Sequence, residues 1–73
     1  MTKKEFLESR GYVEDGTLFG KIFLNNVYAI IDLTTSSFEV YNYKIICEQK
    51  DIDNLQIAFN NVKRDFEEVK KHD

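Results

Sequence analysis

The chain has 73 residues and a formal net charge of −3, and its acidic and basic side chains are interleaved along the sequence, as on a solvated surface. It contains one cysteine, Cys47, and one histidine, His72, which excludes an intrachain disulfide and leaves too few ligands for a Cys/His metal site. Because no apolar run approaches the roughly 20 residues of a membrane span and the N-terminal residues build no secretory signal, we expect one domain over residues 1–73, cytoplasmic and without cofactor, metal or membrane contact.

Local start and stop signals predict a short N-terminal helix over residues 2–10. Thr2 and Glu5 have the spacing of a capping box, in which each side chain accepts a hydrogen bond from the backbone N–H of the other. Gly11 follows, and glycine is the residue that most readily takes the left-handed conformation just after a helix. Since this segment contains only two apolar side chains, we expect it to lie across an edge of a sheet.

A tight turn is predicted before the longer strands. Asp15-Gly16 lies between two apolar pairs, and this dipeptide is favoured in the two-residue turns of β-hairpins. The residues ahead of it, 12–14, can therefore form a brief extra strand.

Two apolar runs, residues 18–24 and 27–33, predict the first long hairpin. Asn25-Asn26 separates them, and both residues tolerate the positive φ of a two-residue turn. This turn pairs Ile22 with Ala29 and makes one face apolar throughout, whereas a slip of one residue would exchange the faces. In this register the core face of the first run carries Leu18 and Ile22, and its opposite face carries Phe19, Lys21 and Phe23.

A third strand, residues 38–47, is predicted after a turn at residues 34–37. A four-residue loop sets Ile31 opposite Val40 and Tyr28 opposite Tyr43, with Tyr41 opposite Ile30. Both alternating sets of this strand contain apolar residues, so periodicity alone does not choose between its faces. A bulge in the loop would exchange them, and this alternative is left open.

Residues 51–72 predict a long amphipathic helix that Asp51 or Asp53 can cap. Its apolar residues recur at spacings of three and four, at Ile52, Leu55, Phe59, Val62, Phe66 and Val69. This stripe fits either a cover for the sheet or the seam of a coiled-coil dimer. We favour the cover, because the chain contains no other element large enough to bury one face of the sheet.

The predicted fold class is α+β, with a three-stranded antiparallel meander between a short N-terminal and a long C-terminal helix, in the order α-β-β-β-α. A short extra strand is compatible with the pattern. This order in a short acidic chain resembles some small phage anti-CRISPR proteins, which bind and block a host defence nuclease. The resemblance covers most of the chain and consists of topology alone. It implies an inhibitor of a host protein and carries over no individual residue.

The residues contain no arrangement typical of catalysis. There is no glycine-rich phosphate loop, and no nucleophile stands near a base. Asp32 and Glu39 are predicted neighbours on one face, but Lys21 shares that face and no oxyanion donor accompanies them. Double-stranded RNA-binding domains share the element order, yet they need lysines where this chain begins its second helix with Asp51 and Asp53. We expect no enzyme, and a nucleic-acid-binding accessory protein is the least favoured alternative.

If the helices cover one face of the sheet, the opposite face keeps aromatic side chains. We expect a partner protein to bind there, on Phe19, Phe23, Tyr28, Ile30, Asp32, Glu39, Tyr41 and Tyr43. Such a face would present roughly several hundred Å² of apolar surface, at or above what a monomer usually exposes. The sequence therefore favours a non-enzymatic interaction protein that occludes a host protein. The alternative is a homodimer with a regulatory or structural role, in which two sheets or two C-terminal helices bury each other.

Overall fold

The structure, a computed structural model, describes residues 1–23, 26–44 and 48–73. Its elements in chain order are α1 (Lys3–Ser9), β1 (Val13–Asp15), β2 (Leu18–Phe23), β3 (Val27–Asp32), β4 (Ser37–Asn42) and α2 (Gln49–Val69). The strands form one antiparallel sheet in the order β1-β2-β3-β4. The predicted α+β class is confirmed. The brief strand predicted over residues 12–14 is β1, displaced by one residue, and Gly16-Thr17 rather than Asp15-Gly16 connects it to β2. Neither of the described helices is long and apolar enough to cross a membrane.

The ends of α1 follow the predicted local signals. The hydroxyl of Thr2 accepts from the N–H of Glu5 at 3.1 Å, and the Glu5 carboxylate accepts from the N–H of Thr2 at 2.8 Å. At the other end Gly11 has a φ of 92°, and the N–H groups of Gly11 and Tyr12 donate to carbonyls of the last helical turn. This is a Schellman motif, which ends the helix and turns Tyr12 into the core.

The β2–β3 hairpin differs from the predicted register by one residue. Phe23 lies opposite Val27 and Lys21 opposite Ala29, so that three residues connect the strands where two were expected. Asn26 has a φ of 66°, as the last residue of a three-residue hairpin loop commonly has. Its neighbour Asn25 and the end of the predicted first run, Leu24, lie outside the described residues.

This slip of one residue exchanges the two faces of β2. Phe19 is buried at 4% exposure and Phe23 packs against the core, while Ile22 is 70% exposed on the opposite face. The predicted placement of Phe19 and Phe23 on the open face was therefore wrong. The physical reason is packing: a core face made of Leu18, Gly20 and Ile22 would leave a gap at the glycine, whereas the observed register supplies the core with the rings of Phe19 and Phe23.

The β3–β4 register differs from the prediction by two residues, which preserves the faces. Tyr28 lies opposite Tyr41, and Ile31 lies opposite Phe38. The turn begins one residue earlier than expected because the carboxylate of Asp32 accepts hydrogen bonds from the N–H groups of Thr34 and Thr35. The bulge that would have turned Tyr41 inward is therefore absent from the described loop. The predicted continuation of the strand through residues 45–47 lies outside the described residues.

The core lies between one face of the sheet and the two helices. α2 packs over β3 and β4, while α1 packs against β1 and α2. The ring of Phe38 lies between those of Phe59 and Phe66, with centroid distances of 5.5 and 5.0 Å. The buried cluster contains Phe6, Leu7, Tyr12, Phe19, Ala29, Ile31, Val62, Phe66 and Val69.

The apolar stripe of α2 is a cover for the sheet in its C-terminal half, and the helix starts two residues earlier than predicted. Its buried residues are Ala58, Val62, Asp65, Phe66 and Val69. Ile52 and Phe59, which were predicted within the buried stripe, are 48% and 40% exposed. The buried face is thus rotated toward Ala58 and Asp65, and the flank with Ile52 and Phe59 is only half covered. The N-cap is Glu48, not the predicted Asp51 or Asp53, and Asp51 accepts at the third helical position from the N–H of Glu48 at 3.2 Å.

The N-terminal helix is joined to the chain segment after α2. The N–H of Lys3 donates to the carbonyl of Asp73 at 3.0 Å, and the Lys3 ammonium donates to the carbonyl of His72. The His72 ring stacks on Phe6 with a centroid distance of 4.7 Å. Free N–H donors at the start of α1 therefore find acceptors beyond the end of α2, which holds the two helices together on one side of the sheet.

Candidate interaction face

The sheet has one face that no described helix covers, and we call it the outer face. It consists of Val13, Asp15, Leu18, Gly20, Ile22, Tyr28, Ile30, Asp32, Ser37, Glu39 and Tyr41, which share a side through the strand registers. Tyr43 follows in the same alternation just beyond β4 and is 53% exposed. Most of the residues predicted to contact a partner are therefore brought together here.

Two predicted contact residues are missing from the outer face, and two others take their place. Phe19 and Phe23 lie in or against the core. Val13 and Ile22 instead project outward, with exposed fractions of 71% and 70%. The sequence signal for Val13 was its place in the brief strand. The two-residue hairpin predicted from the sequence placed Ile22 in the core. The observed three-residue connection places it on the outer face.

A row of apolar side chains crosses three strands at one end of the outer face. Ile22 lies opposite Tyr28, which lies opposite Tyr41. The two tyrosine rings meet edge to face, with centroids 5.6 Å apart. The Tyr28 hydroxyl lies over Gly20, where a Cβ atom would overlap it. The glycine therefore allows the Tyr28 ring to lie across β2, and the row forms a continuous aromatic and aliphatic surface.

A groove of about 550 Å³ adjoins this row, at the edge of β2 that β1 leaves open. Its floor and walls combine backbone, aliphatic side chains and a few charged groups. Its size fits one large side chain of a partner or a small ligand, but it has no converging set of polar groups that would specify a small ligand. The groove is lined by Gly11, Val13, Glu14, Asp15, Gly20, Lys21, Ile22 and Tyr28.

The other end of the outer face is acidic. Asp15, Asp32 and Glu39 lie there, and none of the residues that define the outer face is basic. A second hollow of about 240 Å³ is lined by Asp32 and Glu39 together with Leu18, Ile30, Ser37 and Phe38. The Asp32 carboxylate is already engaged by the following turn, whereas Glu39 is exposed. The outer face thus divides into an apolar end and an acidic end.

Lys21 does not belong to the outer face, contrary to the prediction. Its ammonium lies over the ring of Tyr12 at 5.4 Å and over that of Phe23 at 4.8 Å, on the side of the helices. Such cation–π contacts let the alkyl part of the lysine cover the core edge while its charge reaches water. The carboxylates of Asp32 and Glu39 consequently lack the lysine neighbour that the sequence suggested.

A buried polar group on the opposite side of the sheet was missed by the sequence analysis. Asp65 is only 3% exposed, and its carboxylate accepts a hydrogen bond from the Tyr12 hydroxyl at 3.0 Å. The Nε of Arg10 lies 3.7 Å from the other carboxylate oxygen. Burial, followed by the negative charge of Asp65, raises the pKa of Tyr12 above its ordinary value. Through these contacts Arg10 and Tyr12, which follow α1, are held against Asp65 of α2.

No cluster of three or more His, Cys, Asp and Glu residues in the described ranges could hold a metal ion. No family model matches the sequence, and neither the curated proteins nor the solved structures contain a significant match. The outer face is therefore the feature of the molecule on which a functional proposal can be built.

Proposed function

We propose that the protein is a non-enzymatic interaction domain that binds a partner protein through its outer face. The observation that carries this proposal is the combination of strongly exposed Val13 and Ile22 with the adjoining Tyr28–Tyr41 pair. Large apolar side chains that a folded chain leaves uncovered in one contiguous patch mark interaction sites. Tyrosine suits such a site, because it buries a large rigid area while its hydroxyl can remain hydrogen-bonded.

The charges on the outer face indicate which kind of partner surface would be complementary to it. An apolar partner patch would cover Ile22 and Tyr41, and basic side chains beside it would meet Asp15 and Glu39. Charges at the border of an interface contribute mainly to orientation and association rate, whereas the desolvated aromatic centre contributes most of the affinity. The partner is thus expected to present a hydrophobic patch with lysine or arginine on one side.

In its specific form, the proposal is that the partner is a host protein and that binding blocks it by steric occlusion. The support is the element order, which resembles that of small phage anti-CRISPR proteins, together with a binding face formed by four paired strands. Steric occlusion requires only that the outer face cover a surface that the host protein uses. No catalytic group of the inhibitor takes part.

A homodimer through the outer face is the second candidate, and the apolar row supports it equally. The acidic end weighs against it. When two outer faces stack about a two-fold axis, the carboxylates of Asp15, Asp32 and Glu39 meet either the same carboxylates or the apolar row of the other copy. Nucleic acid is the third candidate, and the absence of basic residues from the described outer face disfavours it.

Affinity capture with matched variants tests the proposal. We expect Ile22→Asp to lose a partner that the unchanged protein captures from a host lysate, because it places a carboxylate at the centre of the contact. Ile57→Asp is the control, since Ile57 is 59% exposed on α2, away from the sheet. Both variants should fold, because substitutions at such exposed positions usually cost about 0.5 kcal/mol or less. Equal capture by Ile22→Asp and the unchanged protein would contradict the proposal.

A further inference from the structure

The edge strand β4 has one side that pairs with nothing in the part of the chain that the structure describes. It stands last in the sheet and pairs with β3 alone. Natural edge strands commonly carry a proline, a bulge or charged side chains that prevent pairing with another chain. β4 contains no proline and its register with β3 is unbroken from Ser37 to Asn42, and its one charged side chain, Glu39, lies on the outer face.

The hydrogen bonding to β3 determines which backbone groups of β4 face the open side. The N–H of Tyr43 donates to the carbonyl of Asn26 at 2.9 Å, and these residues continue the β3–β4 register. Residues of an antiparallel pair alternate between bonded and non-bonded positions, so the odd-numbered residues of β4 bond to β3. The N–H and C=O groups of Phe38, Val40 and Asn42 therefore point toward the open edge.

A row of apolar side chains on α2 lies beside this edge. Ile52, Phe59 and Phe66 are seven residues apart and so share one flank of the helix. Phe66 is buried, whereas Phe59 and Ile52 are 40% and 48% exposed. The Phe59 ring contacts Phe38 of β4, with a centroid distance of 5.5 Å. Phe59 thus lies next to β4, and Ile52 continues the same flank of the helix about two turns toward its N-terminus.

The β4 edge is complementary to itself. A two-fold axis at Val40 pairs this residue with Val40 of a second copy and pairs Phe38 with Asn42 of the second copy. On the outer face, Glu39 then lies opposite Tyr41 of the second copy, whose hydroxyl can donate to the carboxylate. No two carboxylates are directly opposed in this register.

We propose that two copies of the chain associate edge to edge through β4, with the Ile52 and Phe59 flanks of their α2 helices closing over the junction. The proposal goes beyond the outer-face function because it uses a different surface. It leaves both outer faces uncovered on one side of a continuous sheet. The dimer therefore presents two copies of the partner-binding face side by side, which would favour a partner that is itself dimeric.

The size of the junction indicates a reversible dimer. β4 is six residues long and so spans about 20 Å, and the sheet with its helix layer is of similar height. A strip of roughly 400 Å² per copy falls short of the roughly 800 Å² per partner of a standard interface, so a dissociation constant in the micromolar range or weaker is expected. Because each copy carries a net charge of −3, association should strengthen as added salt screens the repulsion.

Residue-resolved amide hydrogen exchange at two protein concentrations tests the proposal. Protein concentrations of about 10 μM and about 1 mM lie on either side of a dimer dissociation constant of about 100 μM. The Val40 amide should exchange several-fold more slowly at the higher of the two concentrations. The amides of Glu39 and Tyr41 should be protected at both concentrations by their bonds to β3. A solution mass that remains monomeric at the higher concentration, or a dimer in which Val40 exchange is unchanged, would overturn the proposal.

A pair of variants with equal charge change provides the second test. Phe59→Lys should weaken the dimer at least tenfold, whereas Ile57→Lys should leave it unchanged, because Ile57 lies on another side of α2. Ile52→Lys replaces Phe59→Lys if loss of the contact with Phe38 unfolds the chain. Equal weakening by the control would contradict the proposal. If Ile22→Asp loses partner capture but still dimerises, partner binding by the outer face and dimerisation through β4 are shown to be independent.

Discussion

The register of β2 can be tested directly, because the sequence prediction and the structure disagree on which of Phe19 and Ile22 faces the core. The two-residue hairpin predicted from the sequence puts Ile22 in the core and Phe19 outside. The three-residue loop reverses this, with exposed fractions of 4% for Phe19 and 70% for Ile22. Replacing each residue separately by alanine therefore distinguishes the two registers.

The expected effects differ several-fold. Truncation of a buried phenylalanine to alanine costs about 3–5 kcal/mol, through lost burial and the cavity that remains. At an exposed strand position such as Ile22, the cost is usually within about 0.5 kcal/mol. In a domain of 60–100 residues, 1 kcal/mol shifts Tm by about 4–8 °C. Phe19→Ala should thus lower Tm by about 12 °C or more, and Ile22→Ala by about 4 °C or less.

Thermal unfolding followed by far-UV circular dichroism measures both shifts, and urea unfolding gives the corresponding free energies. Both variants should keep the spectrum of the unchanged protein at low temperature unless Phe19→Ala is already unfolded. A larger loss of stability for Ile22→Ala than for Phe19→Ala would refute the register, and with it the composition of the outer face.

Three further predictions concern the stability of the domain. Thr2→Ala should lower the free energy of unfolding by about 1 kcal/mol, because it removes the N-cap of α1, and urea titration measures this change. Tyr12→Phe should cost about 1–3 kcal/mol in the same assay, since it leaves the buried Asp65 carboxylate without its hydroxyl donor. Because burial and Asp65 raise the pKa of Tyr12, the folded chain keeps the phenol protonated where the unfolded chain loses that proton, so stability should fall as pH rises above about 10. Tyr12→Phe should remove this part of the alkaline decline, and a decline equally steep in the variant would show that Tyr12 is not its cause.

The parts of the fold that depend on neighbouring residues in sequence could be predicted from the sequence. The capping box of Thr2 and Glu5 and the C-terminal glycine of α1 involve groups at most a few residues apart, so residue type and spacing suffice. The faces of β3 follow in the same way from simple alternation. Each of these predictions depends on a conformational preference of residues that are near one another in sequence.

The register of β2 could not be obtained in this way. Asn25-Asn26 permits both a two-residue and a three-residue connection, and the choice depends on tertiary packing, in which Phe19 and Phe23 join the core while Tyr28 lies over Gly20. The burial of Asp65 could not be predicted for a related reason, because its hydrogen-bond partner Tyr12 is 53 residues away in the sequence. The helical pattern places Asp65 beside the apolar stripe and gives no sign of that partner.

The candidate face was predicted correctly where the strand faces were correct. Tyr28, Ile30 and Tyr41 were expected on the open side and lie there, because the two-residue shift of β4 keeps alternate residues on the same face. The errors, Phe19 and Phe23, both come from the one-residue slip in β2. A single loop residue therefore decides which apolar side chains of β2 lie on the outer face.

Site-specific photo-crosslinking in host cells tests the central claim most directly. A benzophenone amino acid in place of Ile22 lies in the apolar row of the outer face, and the same residue in place of Ile57 lies on the exposed side of α2. The proposed function predicts that the probe at position 22 forms a covalent adduct with a partner protein and that the probe at position 57 forms none. An adduct from position 57 alone, or no adduct from position 22 in a folded variant, would contradict it.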